Sequence, residues 1–216
     1  MTGYRTVLLD AHGTLFALDQ PHQRLADAIA GRLGTSPPPD EIRRALGLEM
    51  RHYAQHCHEA GDAQRLRRLR LDCAAIIARE LGLEDAVASE ALAAAIVYRV
   101  FPDVPGLLAE LRRRAVPVAV VSNWDYALPE LLARLGLIVD AVVTSAGVGA
   151  AKPDPAPFRE ALRRLDADPA TTLHVGDRPE IDRAGALAAG IDAQIIDRTG
   201  GTGTIAALTE ITPLLA

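Results

Sequence analysis

The stretch TVLLDAHGTLF, residues 6–16, decides how the rest of the chain is read. It opens on an apolar, partly β-branched run, as a strand buried on both faces does, and the run ends at Asp10. A Gly-Thr turn follows at Gly13 and Thr14, so the carboxylate is presented at a strand end. His12 stands between the carboxylate and the turn.

A buried strand needs partners, and four similar runs occur later. They are VPVAVVS (116–122), DAVVTS (140–145), TTLHVGD (171–177) and DAQIID (192–197). Each hands over to a polar residue or glycine. Helical patterns lie between them. YALPELLARLGL (126–137) sets Leu128, Leu131, Leu132 and Leu135 on one face, and PAPFREALRRLD (155–166) does so with Phe158, Ala161, Leu162 and Leu165. IDRAGALAAG (181–190) closes on Gly190, where a C-terminal glycine belongs. Alternating strands and helices predict an α/β domain with a mostly parallel sheet.

Residues 17–98 carry helical patterns only: Leu25, Ala28, Ile29 and Leu33, then Leu66, Leu69, Cys73, Ile76 and Ile77. Between them TSPPPDEIRRAL (35–46) reads as a proline-rich turn, with Asp40 capping the next helix. The expected organisation is a core domain of residues 1–16 and 99–216 and a helical cap domain of residues 17–98. Open parallel sheets bind ligands at the carboxyl ends of their strands, and an insert after the first strand belongs there.

The bulk properties narrow the partners. The net charge of −5 is mild and the basic residues are dispersed over the 216 positions. The densest cluster, QRLRRLRLD (64–72), lacks aromatics and reads as a solvated helix face, so no nucleic-acid partner is expected. Cys57 and Cys73 form neither a disulfide framework nor a CxxC pair. The first residues lack a signal-peptide layout, and no apolar run approaches the ~20 residues of a membrane span. A cytoplasmic protein without a membrane partner is the expectation.

The residues that follow the strands carry the chemistry: Asp10, then Ser122 and Asn123, then Lys152 in AKPDPAPF, then Asp177 and Asp182 in GDRPEID. A carboxylate, a hydroxyl, an ammonium and two further carboxylates would converge on one sheet edge. In this order, and with a helical insert after the first strand, they resemble the haloacid dehalogenase (HAD) superfamily along the whole chain. VSNWDYALPELLARLGL and AKPDPAPFREAL resemble its phosphatase-type subgroup with a helical cap. The resemblance implies a Rossmann-like parallel sheet with an all-helical cap, an Mg²⁺ cofactor and a small phosphorylated metabolite as substrate.

Phosphoryl transfer needs an in-line nucleophile, neutralised phosphoryl oxygens and a metal. Asp10 can attack phosphorus to form an aspartyl phosphate. Ser122 and the backbone N–H of Asn123 can donate to the transferring oxygens, and Lys152 adds positive charge. Asp177 and Asp182 can hold Mg²⁺ with Asp10, because Mg²⁺ prefers hard oxygen ligands.

His12 departs from the family pattern, which has an aspartate there to protonate the leaving oxygen and then activate water. The family's metal contact at this position is the main-chain carbonyl, which a histidine keeps. Imidazole titrates near the pH suited to general acid–base work, so His12 can replace the aspartate. Two alternatives stand beside a phosphatase. One is a 2-haloacid dehalogenase, favoured by the missing acid but not by the paired Asp177 and Asp182. The other is a catalytically impaired binding protein. Among other residues, His52 and His56 share a helix face and could bind a soft metal, but cap packing is the better expectation. His174 and Trp124 are expected to be packing residues.

Overall fold

The structure is a computed structural model that describes residues 3–201 and 203–216. In chain order the first elements are β1 (Thr6–Leu9), β2 (Phe16–Leu18), α1 (Pro21–Leu33), α2 (Pro39–His56), α3 (Ala63–Leu81), α4 (Asp85–Ala95) and β3 (Tyr98–Val100). Next come α5 (Val104–Arg113), β4 (Val118–Ser122), α6 (Leu128–Arg134), β5 (Ala141–Thr144), α7 (Ser145–Val148) and α8 (Ala156–Leu165). The last are β6 (Thr172–Gly176), α9 (Ala184–Ala188) and β7 (Asp192–Ile195). Two compact units result, Met1–Ala17 with Val100–Ala216, and Leu18–Arg99.

The first unit holds a five-stranded sheet in the order β5-β4-β1-β6-β7, parallel throughout. β1 is central because its four residues, TVLL, are apolar or β-branched and can be buried on both faces. Leu8 pairs with Ala119 on one side and His174 on the other, which fixes the register and brings the strand ends level. The Asp10 amide extends that ladder, donating to the Val175 carbonyl at 2.9 Å.

Strand alternation sends Leu8, Ala119, Val121 and Val143 to one face. There they meet Phe158, Ala161 and Leu162 of α8, together with Ala186, Ile191 and Ala193. Full burial of a side chain such as Phe158 contributes about 1.5–3 kcal/mol. The segment expected to be a helix over 181–190 is split. Residues Pro179–Arg183 form a wide turn with π-type hydrogen bonding, and only Ala184–Ala188 is α-helical. Such turns occur frequently at functional sites, and this one carries Asp182.

The second unit is built from α1 to α4, with α1 against α4, α2 against α3 and α3 against α4. Leu25, Ile29, Leu66, Leu69, Cys73 and Ile77 line its core at the expected spacing. The arginines of residues 64–72 are exposed, alternating with the buried Leu66 and Leu69, as a solvated face requires.

Three expectations fail. Leu33 is 51% exposed, because α1 ends there and turns at Gly34 in the left-handed region. Asp40 does not cap α2: the helix starts a residue earlier at Pro39, whose missing N–H costs nothing in a first turn, and Asp40 pairs with Arg43 inside it. Short strands at Phe16–Leu18 and Tyr98–Val100 reach into the region read as helical only. No helix among the described residues is long and apolar enough to cross a membrane.

Candidate active site

The site residues lie at or just beyond the carboxyl ends of the sheet strands, so the sheet sets their positions. Asp10 follows β1, Ser122 ends β4, Asp177 follows β6, and Lys152 lies in the loop between α7 and α8. Asp10, Ser122, Lys152 and Asp182 are 1–7% exposed. Burial of so much charge demands partners, and they are present.

Lys152 Nζ donates to Asp10 Oδ1 at 2.6 Å and to Asp182 Oδ1 at 2.5 Å. Ser122 Oγ donates to the same Asp10 oxygen at 3.0 Å. Both bonds therefore fall on Oδ1, and among the described residues Oδ2 of Asp10 accepts none. Burial works against the ammonium, but the charges of Asp10 and Asp182 outweigh it and hold Lys152 above its ordinary value. Asp182 also accepts from the Arg178 amide at 3.0 Å. Burial would raise its carboxyl, but the Lys152 charge and the His174 contact dominate and hold it well below the usual carboxylate range.

Asp177 is in the opposite state. Burial and the nearby charges of Asp10 and Asp182 push it up to about 7. Like charges this close cannot all ionise without a cation. Ligand oxygens of Asp10, Asp177 and Asp182 lie within 4.8 Å of one another, and among the described residues no other group of His, Cys, Asp or Glu converges so. Three hard oxygen donors around uncompensated charge fit a magnesium-type cation.

Two glycines make the crowding possible. A Cβ on Gly176 would lie 2.2 Å from Asp182 Cγ, and one on Gly13 would lie 2.2 Å from Asp177 Oδ2. Gly13 also has φ +82°, which L side chains rarely adopt.

His12 is half-buried beside Asp10, and its imidazole is not among the converging ligand atoms. Desolvation lowers its pKa, and the charge of Asp10 only partly offsets this. Asn123 has a geometry that sequence reading did not foresee. Its side chain clamps the backbone of Lys152, donating to the carbonyl at 2.9 Å and accepting from the amide at 2.7 Å.

His174 is fully buried on β6, as a packing residue would be, with Phe158 edge-on at 4.9 Å. It also touches the site. Nδ1 lies 3.1 Å from the Leu8 carbonyl and Nε2 lies 3.2 Å from Asp182 Oδ1, so each ring nitrogen faces an acceptor. The one sequence signal was its place two residues before Gly176 on the same strand. Trp124 is a packing residue, buried with its ring edge-on to Phe16. The rings of His52 and His56 lie 4.6 Å apart and tilted by 43°, with His56 Nδ1 3.0 Å from Glu59, and gather no third ligand among the described residues.

A family model of haloacid dehalogenase-like hydrolases matches residues 4–190. The chain belongs to that family. It is 45% identical over 87 residues to haloacid dehalogenase-like hydrolase domain-containing protein 3 of Mus musculus, covering 39% of this chain and 35% of that protein. It is 38% identical over 104 residues to phosphoserine phosphatase of Thermus thermophilus, covering 47% and 42%. The chain spans less than half the length of these curated relatives in each match. The crystal structure of a HAD phosphatase from Thermococcus onnurineus superposes with a TM-score of 0.65 at 24% identity, over 98% of this chain and 99% of that one. That likeness shows the fold.

Proposed function

We propose that this chain is a magnesium-dependent phosphatase of a small phosphorylated metabolite, working through an aspartyl phosphate on Asp10. The observation that carries the reading is the asymmetry of Asp10: Ser122 and Lys152 both bind Oδ1, leaving Oδ2 to attack. The likeness to phosphoserine phosphatase supports the same reaction class.

In the first half-reaction Asp10 Oδ2 forms a bond to phosphorus as the ester P–O bond breaks, and the leaving oxygen takes up a proton. Water then attacks the acyl phosphate, releasing phosphate and restoring Asp10. Ser122 and Lys152 offer donors to the phosphoryl oxygens where charge accumulates. Asp10, Asp177 and Asp182, with the His12 carbonyl, would hold Mg²⁺. When bound, Mg²⁺ supplies positive charge that neutralises the phosphoryl group and keeps it in line with Asp10. Asn123 holds the Lys152 backbone so that its ammonium stays on both carboxylates.

His12 divides the two halves. Because burial lowers its pKa, the ring is mostly neutral at pH 7, fit to take a proton from water in the second step. It is less fit to protonate an alkoxide in the first, so phenolic esters, whose leaving groups need no proton, should turn over better than alkyl esters. The missing second acid also favours a dehalogenase, which would release halide without metal.

The test is release of phosphate from aryl and alkyl phosphoesters, and of halide from 2-haloacids, with and without Mg²⁺. Asp10→Asn should lower Mg²⁺-dependent phosphate release on the order of 10³-fold or more. His12→Asp should leave aryl turnover unchanged or lower. A large gain there would mean that His12 is not the working base, and metal-independent halide release would replace the phosphatase reading altogether.

A further inference from the structure

Arg198 lies beyond the residues matched by the family model, yet its guanidinium reaches back to the loop that follows Asp10. Nη2 donates to the Thr14 carbonyl at 2.6 Å and Nη1 to Asp103 Oδ1 at 2.9 Å. The guanidinium lies 3.8 Å from the centre of the Phe101 ring. The other Asp103 oxygen accepts from the Leu208 amide at 2.6 Å. One fork thus ties the loop to the start of α5 and to the C-terminal segment.

The loop's remaining bonds are nearly all its own. Leu15 and Phe16 donate to the Ala11 carbonyl at 2.8 and 3.2 Å, Gly13 donates to Phe16, and the Leu15 carbonyl accepts from Phe101. The Thr14 carbonyl is held by a side chain. Core filling does not explain an arginine here. Its Nε is buried without a hydrogen-bond partner among the described residues, as is Thr14 Oγ1, a desolvation cost that methionine would avoid. What only the fork supplies is two bonds to two separate acceptors.

The loop's position matters to the chemistry. Gly13 rests directly against Asp177, and His12 bridges to Phe16. Movement at Thr14 carries both along, and misplacement by about 1 Å from a remote change costs about 10² in rate. We propose that Arg198 is a positioning residue that fixes residues 11–14 against Asp177. The kinetic part of its test rests on the phosphatase reading; the exchange part does not.

The experiment compares Arg198→Ala, Arg198→Lys and Asp103→Asn with the unmodified chain by amide hydrogen exchange and by aryl phosphate hydrolysis. In Arg198→Ala the Gly13, Leu15 and Phe16 amides should exchange roughly tenfold faster or more, and kcat should fall on the order of 10²-fold. KM should stay within about threefold, because Ser122 and Lys152 are untouched. Guanidinium ion at sub-denaturing concentration should restore part of kcat, and ammonium should not. Arg198→Lys should resemble the alanine variant, since one ammonium cannot span both acceptors. Asp103→Asn should give a smaller effect of the same kind and serves if Arg198→Ala does not fold. Unchanged exchange in residues 11–16 of a folded variant overturns the proposal, as does a loss carried by KM. If the unmodified chain hydrolyses no phosphoester, the functional reading fails while exchange still decides the role of Arg198.

Discussion

Replacing Lys152 by methionine tests how the buried charges are held. The side chains keep similar length, so packing changes little, but the ammonium between Asp10 and Asp182 is gone. In the native site the Lys152 side chain is 2% exposed, that of Asp10 9% and that of Asp182 1%, so water cannot take over its role. Removing one partner of a buried pair costs about 3–5 kcal/mol. At about 2–4 °C per kcal/mol for a chain of this size, the melting temperature should drop by about 6–20 °C at pH 7.

The loss should depend on pH with a definite sign. Asp182 is held below its unfolded value, so its contribution is present above about pH 4 and is lost as pH falls through the folded value. In the variant burial acts on Asp182 without the opposing ammonium, and its folded pKa moves above the unfolded one. The variant then loses stability as pH rises from about 4. From pH 4 to pH 7 the native contribution is constant, so the variant's decline widens the gap between the two proteins. Thermal unfolding of both across that range, with a chelator present, makes the measurement. A gap of constant size would refute the reasoning, since it would mean that Lys152 acts through packing and not charge.

Other positions give contrasting expectations. Gly176→Ala places a Cβ 2.2 Å from Asp182 Cγ, and should destabilise by about 1–3 kcal/mol and abolish any stabilisation by added Mg²⁺. Its control is Gly106→Ala on α5, where nothing lies within 4 Å, which should stabilise by about 0.5–1 kcal/mol. Equal melting temperatures for the two would contradict the close approach at Gly176. In the helical unit Glu49 is 5% exposed beside Cys73, and burial raises its pKa above the unfolded value. Its contribution is fullest below the unfolded value and declines as pH rises toward the folded one. Glu49→Gln should therefore gain about 1 kcal/mol at pH 7 and nothing at pH 4 in urea denaturation. Parallel pH curves would show that Glu49 does not titrate in this way.

Asp10, Ser122, Asp177 and Asp182 were legible because each lies within a few residues of a strand end, and buried strands mark themselves by continuous apolar runs. Lys152 was legible from its place after the third of those runs. The Asn123 clamp and the His174 contact were not, because each depends on which neighbour the register brings alongside. The 181–190 helix was misjudged for a related reason. Its apolar spacing is helical, but Asp182 bonds to Lys152, 30 residues away, and to the Arg178 amide, and the backbone from Pro179 to Arg183 is a wide turn.

By itself the sequence determined the five strands of the main sheet and most of the helices, the parallel class of that sheet, and the residue types delivered to its edge. These follow from local periodicity, which each segment carries without reference to the rest. Only the tertiary structure decided which oxygen of Asp10 is occupied, that Asp177 is left without its own cation, and that Arg198 meets a carbonyl 184 positions away. Those outcomes depend on distances of 2.5–3.2 Å between side chains and backbone from different elements, and such distances exist only once the sheet has set its register.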